Sequence, residues 1–442
     1  MASAKLALFA RPGVLVRTAA VALVYFLSAW LSLSFVLEPE GIAPLWPPAG
    51  IFLAALILSR RSEWPILIGA LFSADLAAEL LAGTLPLVSA AYAAELSVEA
   101  ALGAWFLDRF VGRPLSFQSV RQVVGLLACV VLCYGTLALA AAAVASLASG
   151  SRFWTSWMWW WATGAVGVVL VTPLVASWIG GERIRLKPLR PRRIVEVVVL
   201  VGGLLVVGHF ALGPTARSGP FGWLAGFLAA PFLIWAALQF GVRGATSASL
   251  MLATVGIRHV LMGEAQQWAD VLGSHSSAVL VMQTYLAIVA VSTLLLAAAV
   301  QGRKAADRAL RESGARLRLA VEGSGVGLWD WDLTTNTVWF SPEWKRQIGY
   351  EDHEIGNEFA EWQNRVHPDD LEKTLAVVHG FLERPYPGYA AESRFRHRDG
   401  TYRWILAHAT ALLGPDGKPE RMLGIHIDVT GRKQTEAALQ EE

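Results

Sequence analysis

The sequence predicts a multi-span α-helical membrane bundle of about 8–10 helices, followed by a small α+β domain with a five-stranded antiparallel sheet. The first observation is a change in composition: residues 14 to 300 are mostly Ala, Leu, Val, Gly and Trp, whereas residues 301 to 442 have the charged composition of a soluble domain. The second is that the apolar part divides into stretches of about the 20 residues that cross a bilayer. The third is a strand–helix–strand pattern after residue 321, with Asp-Gly turns between strands.

The apolar part contains about ten candidate spans. The second is short and the ninth contains Arg258 and His259. The count is therefore eight or ten, because nine would reverse the side on which the C-terminal domain lies. The candidates are roughly Val14–Leu37, Leu45–Leu58, Trp64–Leu81, Leu85–Leu107, Val120–Leu147, Trp157–Ile179, Ile194–Leu212, Trp223–Phe240, Ala245–Met262 and Ala278–Val300.

The basic residues concentrate in alternate loops, which the positive-inside rule places in the cytoplasm. Lys5, Arg11 and Arg17 precede a first span that is longer than a signal-peptide core, so we expect an uncleaved helix and a cytoplasmic N-terminus. The opposite loops hold Arg152 and Arg217 as their only arginines or lysines. We predict a multi-pass protein of the bacterial inner membrane with residues 301 to 442 in the cytoplasm. The other cytoplasmic bases are Arg60, Arg61, Arg109, Arg113, Arg121, Arg183, Arg185, Lys187, Arg190, Arg192, Arg193, Arg243, Arg303 and Lys304.

Four carboxyl groups fall inside the predicted spans. Asp75 and Glu79 share a face of the third span, Glu95 and Glu99 share a face of the fourth, and a short turn joins the two spans. Carboxylates at membrane depth are costly and face a bundle interior, a partner or a water-filled cavity. They form either a cation, proton or polar-ligand site, or a set of structural groups hydrogen-bonded to neighbouring helices. Arg258 and His259 are candidate partners of such a site.

The rest of the chain offers no catalytic signature. There is no phosphate-binding glycine loop, no nucleophile elbow and no cluster with metal-ligand spacing. Cys129 and Cys133 lie four apart in an apolar run, and packing is the simplest role for them. We expect the lipid bilayer as a partner and no nucleic acid.

Two aromatic stretches carry a family resemblance. They are PLWPPAGIFLAALIL from Pro44 and WMWWWATGAVGVVLVTP from Trp157, which precedes a basic loop. Together they resemble the bacterial MASE-type membrane sensor domain, over roughly residues 14 to 300. The family often has an Asp after its Trp-rich stretch, where this chain has Ala162, Thr163 and Gly164. The resemblance implies an input module of a signalling protein. Both aromatic stretches also suit anchors at the membrane interface.

The segment from Val300 to Val321 joins the two parts. Its small or apolar residues recur at spacings of four and three, as in a coiled-coil seam. It is either a solvated linker helix or a signalling helix that pairs with a second copy. We expect a homodimer through residues 301 to 321 and the domain that follows. The seam residues are Ala306, Leu310, Ser313, Leu317 and Ala320.

The C-terminal part reads as two strands, short helices and a three-stranded meander. The alternating run from Gly327 to Leu333 and the run Val338 to Phe340 form the first pair. Ser341-Pro342 begins a helix, and a second helix begins near His367-Pro368-Asp369-Asp370, with Asp369 as the expected N-cap. The last three strands are about Tyr389–Arg398, Tyr402–Leu413 and Arg421–Val429.

This order resembles a PAS domain with its C-terminal PAC segment. The residues that carry the resemblance are GLWDWD from Gly327, the His367-Pro368-Asp369-Asp370 turn, Arg398-Asp399-Gly400-Thr401, and Asp428-Val429-Thr430. The resemblance implies that Asp428 and Thr430 couple the sheet to an outgoing helix. A carboxylate and a hydroxyl at this position also make an ordinary helix cap, and this alternative stays open. The alternating Glu392, Arg394, Arg396 and Arg398 form either a solvated face or a partner surface.

Some PAS domains hold a cofactor, and the sequence constrains which. No cysteine follows Cys133, so the flavin-adduct chemistry of light-sensing members is excluded. Haem or a small metabolite is compatible with the sequence, because haem needs an axial ligand such as histidine. No histidine has a specific context for that role. The histidines of this part are His353, His367, His379, His397, His408 and His426.

The sequence therefore predicts a membrane sensor that passes a signal to a PAS domain and on to an output module or partner protein. The predicted divisions are a sensor domain at 1–300, a linker helix at 301–321, the PAS domain at 322–433 and an outgoing helix at 434–442. Two alternatives stay open: a fragment of a sensor histidine kinase or diguanylate cyclase without its catalytic domain, and a transporter with a regulatory PAS domain. Whether the protein is an enzyme is left undecided.

Overall fold

The computed structural model describes residues 12–36, 43–180, 191–213, 222–262, 275–384 and 389–441. The chain packs as two units, Met1–Ala306 and Asp307–Glu442. The finer division at residues 300, 321 and 433 stays a prediction.

The first unit is a helical bundle. Its long helices expose many large apolar side chains outward, as on Val195, Val198 and Leu15, which suits lipid-facing surfaces. Among the described residues, eight helices are long and apolar enough to cross a membrane. The helices are α1 (Pro12–Leu33), α2 (Pro47–Leu58), α3 (Trp64–Leu81), α4 (Pro86–Phe106), α5 (Val120–Cys129), α6 (Gly135–Ser149), α7 (Phe153–Ile179), α8 (Pro191–Leu212), α9 (Ala230–Leu261) and α10 (His275–Ser324).

Helix α9 reverses direction at Gly241, whose φ of 63° and ψ of −148° are not helical. The segment just before α9 and the second half of α9 contact α10 at nearly the same level. The Tyr285 hydroxyl of α10 donates to the Gly226 carbonyl, and Gly256 of α9 lies against Met282 of α10. The turn itself contacts α10 about 28 Å further along the helix axis, where the Lys304 ammonium donates to the Leu238 carbonyl. Counting the two halves of α9 separately and adding the short α2 gives ten helical segments among the described residues. Whether eight or ten segments cross the membrane stays a prediction.

The Trp-Pro-Pro-Ala-Gly stretch forms a close helix crossing. A Cβ built on Gly167 of α7 would lie 2.0 Å from the Trp46 carbonyl oxygen, and one on Gly50 of α2 would lie 2.5 Å from the Gly167 oxygen. The Thr172 hydroxyl donates to the Gly50 carbonyl at 3.0 Å across the same crossing. Glycine is thus required at both positions, because any side chain would push the two backbones apart.

The second unit is an α+β domain with one antiparallel sheet, as predicted. The strands are β1 (Gly327–Asp332), β2 (Thr337–Phe340), β3 (Tyr389–Arg396), β4 (Tyr402–Leu413) and β5 (Pro419–Asp428), in the order β2-β1-β5-β4-β3. Between β2 and β3 lie α11 (Pro342–Gln347), α12 (Phe359–Gln363) and α13 (Pro368–Glu383), and α14 (Thr430–Glu441) follows β5.

One predicted cap is wrong. His367, and not Asp369, is the N-cap of α13: its ring nitrogen accepts from the Asp369 amide. Pro368 occupies the first helical turn, which moves the cap to the residue before it. Asp370 accepts from the side chain of Arg394 at 2.7 and 2.9 Å and thereby joins α13 to β3.

Candidate functional site

Two of the predicted carboxyl groups lie on α3 and are buried. Asp75 is 1% exposed and Glu79 is 5% exposed. The Tyr25 hydroxyl on α1 donates to Asp75 Oδ1 at 2.8 Å, and the Thr84 hydroxyl donates to Glu79 Oε2 at 2.8 Å. The second Asp75 oxygen, Oδ2, has no hydrogen-bond partner among the described residues. Only half of this carboxyl group is therefore satisfied by the bundle.

The other two carboxyl groups lie on α4, where Glu95 is 9% and Glu99 is 6% exposed. Electrostatic interactions link Glu79 to Asp75, Asp75 to Glu95, and Glu95 to Glu99. We call this series of four residues the acid column. Its Glu79 end lies beside the turn before α4, and Glu99 lies thirteen residues into that helix, about 20 Å along its axis.

The Glu99 end of the column, which we call its inner end, interacts with a π-helical turn, Val130–Tyr134. Glu99 interacts electrostatically with Cys133 and Tyr134 of this turn. Tyr134 is 1% exposed, and its hydroxyl lacks a hydrogen-bond partner within the described part of the chain. A buried hydroxyl without a partner is expensive, so the Tyr134 hydroxyl has the capacity for a further hydrogen bond at the point where the column ends.

Two tryptophans of the Trp-rich stretch support the π-helical turn. The Trp161 indole N–H donates to the Val130 carbonyl at 3.1 Å, and the Trp157 indole N–H donates to the Gly135 carbonyl at 2.8 Å. The two rings stack, with centroids 5.6 Å apart. Sequence reasoning treated these residues as interface anchors, and the structure adds a positioning role. Single π-helical turns inside helices occur frequently at functional sites.

The predicted cationic partners do not join the column in the described structure. Arg258 is exposed. His259 is buried against His209 of α8, with ring centroids 4.9 Å apart. No ion pair among the described residues involves any of the four carboxyl groups. The column is thus a buried set of acids without a described cation.

The second unit has its own interior cavity, lined by aromatic rings of both β1 and β2 and by His426 of β5. Its volume open to the centre of a water molecule is about 40 Å³, which is room for only a few waters. His426 is the member of the six predicted histidines that lines it. A haem or flavin does not fit this conformation, because the indole and phenyl rings occupy the interior. The lining is Trp329, Trp331, Val338, Phe340, Phe359, Trp362, Thr374, Val378, Tyr389, Ala391, Ser393, Ala407, Met422 and His426.

Inside this core His426 is a hydrogen-bond acceptor rather than a free ligand. The Trp344 indole N–H donates to its Nδ1 at 2.7 Å, which places the ring proton on Nε2. Burial lowers the pKa of His426 from 6.5 to about 3. The ring is therefore neutral at physiological pH.

The start of the outgoing helix is tied to the sheet. The Thr430 hydroxyl accepts from the Trp404 amide of β4 at 2.9 Å, and the Val429 amide donates to the Trp404 carbonyl at 2.8 Å. Asp428 Oδ1 accepts from the Thr430 amide at 2.8 Å. We call these contacts the latch. They include a conventional cap, but the bonds to Trp404 go further, because they join α14 to a neighbouring strand.

Ion pairs extend the latch to β3. Glu392 accepts from Arg432 and, at 2.7 Å, from Lys433 on α14. The Lys433 hydrogen bond lowers the pKa of Glu392. Arg394 is paired with Asp370, and Arg398 with Glu354 at 2.9 Å. The alternating polar face of β3 is therefore largely engaged by residues of its own domain.

The sequence matches two known families. The MASE1 profile matches residues 17–304, more than half of the chain, and the PAS fold profile matches residues 337–426. The chain belongs to the MASE1 family. The predicted resemblances are confirmed, and so is the predicted arrangement of a membrane sensor domain followed by a PAS domain.

Similar curated proteins match about a third of the chain or less. The probable diguanylate cyclase DgcE of Escherichia coli is 33% identical over 131 residues, 29% of this chain and 11% of its own length. The blue-light-activated histidine kinase of Brucella anthropi is 33% identical over 129 residues, 29% of this chain and 25% of its own. The sensor protein FixL of Bradyrhizobium diazoefficiens is 29% identical over 126 residues, 28% of this chain and 25% of its own.

Among solved structures, a sensory box histidine kinase/response regulator from Burkholderia thailandensis is 43% identical. That match covers 28% of this chain and 92% of the other, with a TM-score of 0.26.

The MASE1–PAS chain covers between 11% and 25% of the length of the three curated relatives named above.

Sequence reasoning missed the residues of the MASE1 domain that interact with the acid column. They include Tyr25 of α1, Thr84 of the turn before α4, Tyr92 of α4, and Cys133 and Tyr134 of the π-helical turn. Tyr25 is the one titratable side chain within the apolar part of its span after Arg17. That isolation was a usable signal, but the position of Tyr134 was not, because it depends on the π-helical register.

Proposed function

We propose that this chain is the sensor part of a multi-pass protein in the bacterial inner membrane, with the N-terminus and the PAS domain in the cytoplasm. The observation that carries the proposal is helix α10. It begins at His275 in the membrane-compatible part and ends at Ser324, and two residues separate it from β1, which begins at Gly327. A single helix is thus the covalent route from the MASE1 domain to the PAS domain.

The bundle contacts support one end as cytoplasmic. The Gly241 turn lies beside Gln301 of α10, and the nearby Arg243 side chain donates to the Ser177 carbonyl at the end of α7 at 2.8 Å. These positions are those that the positive-inside rule assigns to the cytoplasm. Lys5, Arg11 and the bases from Arg183 to Arg190, which also support this orientation, lie outside the described residues.

The acid column is the proposed input site, for a cation, a proton or another polar ligand. Glu95→Gln and Glu99→Gln remove charge while keeping shape. We expect each to change the output of a diguanylate cyclase reporter domain fused after Glu442 by severalfold. The exposed PAS residue Glu372 provides the matched control, since Glu372→Gln removes a carboxylate far along the chain from the column. Unchanged output in both column variants would contradict this role.

The seam of α10 is the proposed homodimer contact. Leu310 is 74% exposed, and Ala306, Ser313 and Ala320 are exposed as well; the side chain of Leu317 lies outside the described residues. An exposed leucine in a seam pattern suits pairing with a second copy. Leu310→Cys should form cross-linked dimers in membranes, whereas Arg308→Cys, about 200° around the helix, should not. Equal cross-linking at both positions would refute a specific seam.

The latch is the proposed exit of the signal, through α14 to an output module or partner. Two of the similar proteins are named as a diguanylate cyclase and a histidine kinase, so either activity is a candidate for the output. A transporter with a regulatory PAS domain makes a different prediction. It requires ion-dependent uptake of a solute into vesicles that contain the purified chain, and uptake abolished by Glu99→Gln would favour it over a sensor.

A further inference from the structure

The acid column presents an unbalanced charge. Four carboxyl groups lie within one buried series, and the described residues supply no lysine, arginine or histidine partner to any of them. An unpaired carboxylate away from water carries a cost of several kcal/mol. The column must therefore take up protons or another cation to be stable at membrane depth.

The geometry disfavours the other cations. Within the described residues, no group of three or more His, Cys, Asp or Glu is arranged to hold a metal ion. The inner end of the column is also closely packed. A Cβ on Gly103 would lie 3.1 Å from both Cys129 Sγ and a Tyr134 ring carbon, and 3.4 Å from Leu53. A proton needs neither a ligand shell nor a cavity.

The titratable groups around the column form a connected set. Tyr25 interacts with it from α1, Tyr92 from α4, Cys129 from α5, and Cys133 with Tyr134 from the π-helical turn. Helices α2 and α7 contain no titratable side chain. The groups with spare bonding capacity are Asp75 Oδ2 near the outer end and the Tyr134 hydroxyl at the inner end. Both ends of the series can thus accept or pass a proton.

We propose that the acid column is a proton-binding site that is filled from its Glu79 end and that Glu95 and Glu99 hold the protons that the bundle senses. This rests on the proposed function, which makes the column the input site. Because Arg60 and Arg61 before α3 are assigned to the cytoplasm, the opposite end of α3, which holds Glu79, is assigned to the periplasm. In each step one hydronium ion gives a proton to one carboxylate oxygen: the carboxyl O–H bond forms as the hydronium O–H bond breaks, one water molecule is released, and one negative charge is removed from the column. No electron is transferred.

The test is infrared difference spectroscopy of the full chain in lipid vesicles as the external pH is lowered from 8 to 5. The wild type should gain a protonated-carboxyl C=O band. Glu95→Gln and Glu99→Gln should each lose part of it, while Glu372→Gln keeps it. Glu99→Asp should retain a titrating band at a shifted midpoint, which shows that the site tolerates substitution.

Two results would overturn the proposal. One is a pH-dependent band that is identical in the wild type and both glutamine variants. The other is a column signal that follows added Na⁺ at constant pH, which would make the site a metal-cation site. The fusion reporter separates this inference from the proposed function. Titration without any change in reporter output would refute the input role alone, and reporter changes without titration would refute the proton alone.

Discussion

Replacing Thr430 with Val should loosen the outgoing helix from the sheet. Valine keeps nearly the same shape but removes the hydroxyl that accepts from the Trp404 amide at 2.9 Å. That amide is partly buried and would lose its acceptor. An unsatisfied buried donor costs about 1–3 kcal/mol, which corresponds to an approximately 5- to 150-fold larger population of the detached helix.

Hydrogen exchange of the purified chain measures this population. Peptides that cover α14 and the Trp404 region should exchange about 5- to 150-fold faster in Thr430→Val, while peptides of α13 stay unchanged. Thr435→Val is the matched control, because the Thr435 hydroxyl donates only within α14, to the Gly431 carbonyl at 3.0 Å. Equal protection in the two variants would refute the latch as an element that holds α14.

Two further predictions concern packing and pH. Gly167→Ala should destabilise the bundle by more than the usual overpacking cost of about 1–3 kcal/mol, because its Cβ would meet the Trp46 backbone. Gly164→Ala in the same helix is the control, since its Cβ would meet no atom within 4 Å. Equal thermal stability of the two variants in detergent would contradict the close crossing. Burial lowers the pKa of His426 from 6.5 to about 3 in the folded domain. The contribution of the neutral ring to the free energy of unfolding is therefore complete above pH 6.5 and is lost as the pH falls toward 3. The free energy of unfolding decreases by up to about 1.4 kcal/mol per pH unit in this range. His426→Gln keeps an acceptor for Trp344 without titrating, and hydrogen exchange of the sheet peptides should then depend less on pH; an unchanged pH dependence would exclude His426 as its source.

The fold was predictable because its signals are local. The alternating aromatic run from Gly327 specified β1, and the Asp-Gly pair at Gly400 specified a turn, where the backbone indeed has a φ of 88°. The buried carboxyl groups were predictable as a set because charge is rare within a span. The four acids and their i, i+4 spacing needed no tertiary information.

The remaining features depend on contacts that are distant in sequence. The π-helical turn that contains Tyr134 is supported by the indole hydrogen bond that Trp161 donates to the Val130 carbonyl, 31 residues away. The reversal at Gly241 depends on a backbone conformation that glycine allows, but a glycine within a helical run does not by itself predict a reversal. The latch bond between Thr430 and Trp404 spans 26 residues and two strands. Neighbouring residues could suggest a cap there, but not the strand to which it attaches.

The central claim is that the MASE1 domain signals to the PAS domain through the phase of helix α10. Insertion of one to seven alanines after Ala306, in the full chain fused to the cyclase reporter, tests it most directly. Each residue rotates the helix by about 100°, and seven residues restore nearly the same face. The account predicts that output changes most with two or five inserted residues, which rotate the following segment by about 200° and about 140°, and returns toward the wild-type value with four and with seven. Output that does not vary with insertion length would contradict it.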